Sequence, residues 1–96
     1  MRKVVWNNYA RLDYYENIDY LLENWNESVA QNFIDTVSST IEILKKGQFE
    51  FQKTNMENVR RAVINRQITL FYKTEDQSIE LLRFWNNYQN PKKINT

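Results

Sequence analysis

A single glycine, Gly47, stands near the middle of this 96-residue chain, and the spacing of the apolar residues changes across it. Before Gly47 the period is helical and after it the period is mostly that of strands, so the chain reads as two unlike halves in succession. From about Tyr9 to Trp25, residues Tyr14, Ile18, Leu21 and Trp25 recur at helical steps, with Tyr15 and Leu22 widening the stripe. Asp13, Glu16, Asp19 and Glu23 fall on the other side and predict an acidic outer face. A second helix is expected from Ser28, where Ser28-Val29-Ala30-Gln31 fits a capping box. Its buried stripe is Ala30, Phe33, Ile34, Val37, Ile41 and Leu44. Lys45 and Lys46 then complement the helix dipole, and Gly47 supplies the left-handed stop.

Val4 to Trp6 reads as a short strand, and Val59–Ile64, Gln67–Lys73 and Ser78–Trp85 as three more. Turns at Asn65-Arg66 and Thr74-Glu75-Asp76-Gln77 join the last three as an antiparallel meander. Gln48 to Glu57 shows no clear period and reads as a loop. The expected fold is therefore α+β, in the order β-α-α-β-β-β: a helical hairpin laid on one face of a small antiparallel sheet. The first strand must join that sheet, because an isolated one would leave its backbone unpaired. A single domain over residues 1–96 is expected, with 86–96, interrupted by Pro91, as a flexible tail.

There is neither cysteine nor histidine. Disulfides, thiol nucleophiles, zinc centres and Ser-His-Asp systems are excluded, no metal or cofactor is expected, and acid–base chemistry falls to carboxylate, lysine or tyrosine. Apolar runs of two or three residues predict no membrane span, and the start Met1-Arg2-Lys3-Val4-Val5-Trp6 does not read as a signal peptide, so a cytoplasmic protein is expected. The net charge of +1 hides an asymmetry: residues 1–50 carry 5 Lys/Arg against 8 Asp/Glu, and residues 51–96 carry 8 against 4. A cationic second half of this kind can steer a polyanion to one face; a solvated basic face is the alternative.

Several strings in this order resemble the RelE/ParE superfamily of toxins from type II toxin–antitoxin (plasmid stabilisation) systems. Tyr9-Ala10-Arg11-Leu12-Asp13 through Ile18-Asp19-Tyr20-Leu21 is similar to the first helix of that family, and Phe33 with Ile41-x-x-Leu44 to its second. Val59-Arg60-Arg61 followed by Ile68-x-Leu70-Phe71-Tyr72 resembles its core strand pair, and Ile79-x-Leu81-Leu82-x-Phe84-Trp85-Asn86-Asn87 with Gln89-Asn90-Pro91 its last strand and tail. The resemblance implies a bacterial toxin held by a cognate antitoxin in a hetero-oligomer. Its expected action is then inhibition of translation by cleaving messenger RNA on the ribosome; the alternatives are a toxin that binds DNA gyrase without catalysis and an inactive relative that keeps only antitoxin binding. The nuclease branch carries an arginine on the middle strand, where this chain has Thr69, and an arginine, tyrosine or histidine after the last strand, where it has Tyr88.

The catalytic candidates under that resemblance are Arg61, Arg83 and Tyr88, with Arg60, Lys73, Lys92 and Lys93 as substrate contacts. Arg60 and Arg61 must point to opposite faces of one strand, and Arg61 is assigned to the open one. Arg83 interrupts an apolar strand and is expected on the open face near Arg61 and Lys73, with an ion pair to Glu80 or Asp76 as the alternative. Tyr88 would serve as an acid or stack on a base, or pack on the sheet. Glu50, Glu57 and Glu80 are candidate bases, and spacing selects none of them.

Overall fold

The computed structural model describes residues 1–88. Its elements are β1 (Lys3–Trp6), α1 (Asn8–Asn24), α2 (Glu27–Lys46), β2 (Gln52–Lys53), β3 (Val59–Val63), β4 (Ile68–Thr74) and β5 (Ser78–Asn86). Asparagines start both helices. The Asn7 side chain accepts from the Ala10 amide at 3.0 Å, and that of Asn26 from Val29 at 2.9 Å. The second cap corrects the expectation at Ser28: the helix starts earlier, at Glu27, so the capping oxygen is that of Asn26, and Ser28 lies inside the first turn. Gly47 ends α2 with φ of 71°, and its amide donates to the Leu44 carbonyl.

One five-stranded sheet runs in the order β1-β5-β4-β3-β2. The strands β2 to β5 are antiparallel neighbours, whereas β1 lies parallel to β5 at the edge, making the sheet mixed. The parallel edge follows from connectivity: the hairpin crosses over one face and delivers the chain back to the far side of the sheet. β2 lies within the segment read as a loop. It is two residues long, too short to show an alternation.

Both helices pack on one face. Ala10 and Leu21 of α1 and Ala30, Phe33, Val37 and Leu44 of α2 meet Ala62, Leu70, Tyr72, Ile79, Leu81 and Phe84 of the sheet. Burying each of the larger side chains stabilises the fold by about 1.5–3 kcal/mol. Trp6, Tyr14, Phe33 and Phe84 form its aromatic centre, with ring centroids 5.2–6.2 Å apart.

The buried stripe of α1 is rotated from the expected one. Ala10, Asp13, Asn17 and Leu21 are buried, while Tyr15, Leu22 and Trp25 are exposed. Asp13 therefore does not belong to the acidic outer face. The reason lies on β5. β1 ends opposite Leu81, so the outward backbone groups of Phe84 have no strand beside them. Asp13 accepts the Phe84 amide at 3.0 Å and the Asn17 side chain donates to the Phe84 carbonyl at 3.0 Å, so α1 turns its polar pair inward to close that edge.

Candidate functional site

Among the described residues, the other face of the sheet carries no helix. Strand register groups its side chains in rows. Arg61, Phe71 and Arg83 lie across β3, β4 and β5, with Gln52 of β2 beside Arg61. Val63, Thr69 and Trp85 form the next row, and Val59, Lys73, Glu80 and Val5 a row on the other side. Val5, Val63, Phe71 and Trp85 lie outside the helix-side core, and Val63 is 69% exposed. Phe71 and Trp85 are half-buried and Val59 is buried, so among the described residues this face is a second apolar and aromatic patch, open at Val5 and Val63 and set among cations.

The two neighbouring arginines of β3 separate as strand alternation requires. Arg61 is exposed on the open face, and its Nε donates to the Gln52 side chain at 3.3 Å. Arg60 turns to the helix side, where Nη1 donates to the Phe51 carbonyl at 2.7 Å and Nε lies 3.5 Å from Glu50. Glu50 also accepts from Arg2 at 2.9 Å and from the Thr74 hydroxyl at 3.2 Å, so it ties the 48–51 segment to the sheet. Tyr72 does the same from β4: its hydroxyl accepts the Phe51 amide at 2.9 Å, and burial raises its pKa above the usual phenol value. Of the three carboxylates considered as a base, only Glu80 lies on the open face, directly across from Lys73, while Glu57 is exposed in the β2–β3 connection.

Arg83 has a different partner from those expected. It begins in the row of Arg61 and Phe71, but its guanidinium reaches past the end of β1 to Asp13 in a two-pronged pair, Nε to Oδ2 at 2.7 Å and Nη2 to Oδ1 at 3.1 Å. Neither Glu80 nor Asp76 takes part. The hydrogen bonds it donates to Asp13 raise its pKa further, so it stays charged. Its carbon centre also lies 5.4 Å from the ring centroids of both Tyr9 and Trp85. Sequence reasoning missed Asp13 because it was read by helical period alone, and Tyr9 because it was read only as the start of the first helix. Their signal was the spacing of Asp13 and Asn17 four residues apart on the stripe of Ala10 and Leu21.

Tyr88 is 63% exposed, and its amide donates to the Asn86 side chain at 2.9 Å. Asn86, assigned to the tail from sequence, is the buried last residue of β5 and donates to Asn17 at 3.0 Å. Lys92 and Lys93 lie outside the described residues. Among the described residues no group of three carboxylates is placed to hold a metal ion, and no helix is long and apolar enough to cross a membrane.

No protein-family model and no curated protein matches the sequence. Solved structures do match the fold. Similar over 90% of this chain and 96% of the other is a chain of the chromosomal ParDE toxin–antitoxin system from P. aeruginosa, with a TM-score of 0.73 and 16% identity. A copper-bound mutant toxin from Helicobacter pylori covers 93% of this chain and 98% of its own at 0.66 and 19%. The E. coli DinJ–YafQ complex contributes a chain matching 92% and 96% at 0.63 and 10%. At such identities what is shared is the architecture: two helices on one mixed sheet, as in these toxin and toxin–antitoxin structures.

Proposed function

We propose that this protein is the toxin of a type II toxin–antitoxin module, and that it acts by binding a protein target through the uncovered face of its sheet rather than by cleaving RNA. The toxin role is supported by the shared fold together with a helical hairpin that, among the described residues, packs on one face of the sheet and leaves the other without a helix. The binding mode is supported most by Arg83. A cation meant to stabilise phosphate charge during cleavage needs to meet the substrate uncompensated, whereas this one is neutralised by Asp13. Around it the face offers Phe71, Val63 and Trp85, a composition that suits an interface core. DNA gyrase is the target we assign, with a cognate antitoxin as the second partner.

A nuclease remains the second reading because Arg61 is exposed beside Phe71, a cation next to a ring on which a base can stack. Arg61 and Tyr88 would then be its working residues. Induction in bacteria separates the two. Growth arrest that the product of the adjacent gene relieves, with intact messages by primer extension and trapped gyrase–DNA complexes, is the expected outcome. Cuts at fixed positions within codons, lost in an Arg61→Ala and Tyr88→Ala double variant, would establish the nuclease instead.

A further inference from the structure

The cluster on Arg83 is built more firmly than a surface ion pair requires. Asp13 is held twice, by the guanidinium and by the Phe84 amide, and its side chain is 11% exposed while that of Arg83 is 41% exposed. Two aromatic rings flank the guanidinium, one from the first turn of α1 and one from β5. Nε and Nη2 serve Asp13; the other edge, with Nη1, bonds to no described residue. An arginine fixed in this way has lost its rotamer freedom before any partner arrives, so a contact to its free edge costs little further ordering.

We propose that Tyr9, Arg83 and Trp85 form the anchor of the target interface, that this anchor takes a carboxylate from an acidic segment of the protein target, and that Asp13 is its positioning residue. The inference rests on the protein-binding reading above and names the point on that face where binding energy concentrates. Tryptophan, tyrosine and arginine are the residue types that dominate such points, and here Phe71 borders them within the register. Charge selects the ligand. Arg61 and Lys73 lie in the same or the adjoining row against one carboxylate, Glu80, which favours an acidic segment. A guanidinium fork fits carboxylate and phosphate alike; the apolar neighbours, Phe71 in the same row and Val63 in the adjoining one, favour a peptide segment as the carrier of the anion.

Tyr9 allows a clean test, because it is 65% exposed and its removal takes nothing from the core. Inhibition of supercoiling by purified gyrase is measured for the wild type, Tyr9→Ala and Tyr9→Phe, alongside thermal unfolding and binding to a labelled single-stranded RNA. Tyr9→Ala is expected to raise the half-inhibitory concentration by about tenfold or more with unchanged melting, and Tyr9→Phe, which keeps the ring, to restore it. Wild-type inhibition that Tyr9→Ala matches overturns the proposal alone. A loss in Tyr9→Ala confined to RNA binding overturns it in favour of a stacking site for bases. A wild-type protein without effect on gyrase overturns the earlier reading and the anchor with it.

Discussion

Asp13 shows how much a single side chain decides here. It accepts from the Arg83 guanidinium and from the Phe84 amide, so Asp13→Ala strands two donors at once, one of them a backbone group. Arg83 retains partial solvent access, which moderates the loss, and a destabilisation of about 2–3 kcal/mol is expected in urea unfolding. Asp13→Asn, which keeps an acceptor for the amide, should lose less. Tyr72 carries the pH dependence. Burial raises the pKa of Tyr72, and that of Tyr14, above the unfolded value of 10.0. A folded pKa raised in this way means that the native state holds its proton longer. The contribution is full below pH 10 and falls as pH rises beyond it. The urea midpoint of the wild type should therefore drop above pH 10, and Tyr72→Phe should show a shallower drop from a lower start, since the Phe51 amide loses its acceptor. An identical slope in the two proteins would remove Tyr72 from the account.

At the level of elements, the helices depend on their ends. Asn26→Ala should cost about 1 kcal/mol and Ser28→Ala close to nothing, because the capping oxygen at α2 belongs to Asn26. Gly47→Ala should cost roughly 1 kcal/mol through its left-handed φ alone. The added Cβ would meet the Arg2 side chain at no closer than 3.5 Å, an ordinary contact. Thermal unfolding of the three variants checks this order. These elements also show what was legible beforehand. The second helix, its stop at Gly47 and the three-strand meander follow from period and breakers, which act locally. The parallel pairing of β1 follows from long-range connectivity, and the facing of α1 and the partner of Arg83 follow from the edge of β5 that β1 leaves unpaired beyond Leu81. That edge exists only once the sheet has formed, so no local period could report it. Likewise the open-face position of Arg61 follows from strand alternation, but the capture of Arg83 required a helix residue 70 positions away.

For the whole molecule, covering just one side of the sheet leaves two apolar surfaces with different fates. One is sealed by α1 and α2, and the other presents Val63 to solvent, with Phe71 and Trp85 half-buried beside the Arg83 cluster. Hydroxyl-radical footprinting of the protein bound to gyrase tests this division directly, since oxidation reports which rings a partner shields. The account predicts protection of Tyr9, Phe71 and Trp85, with Trp25, 55% exposed at the turn between the helices, labelled as in the free protein. Protection of Trp25 with the sheet-face rings still open to oxidation would contradict it.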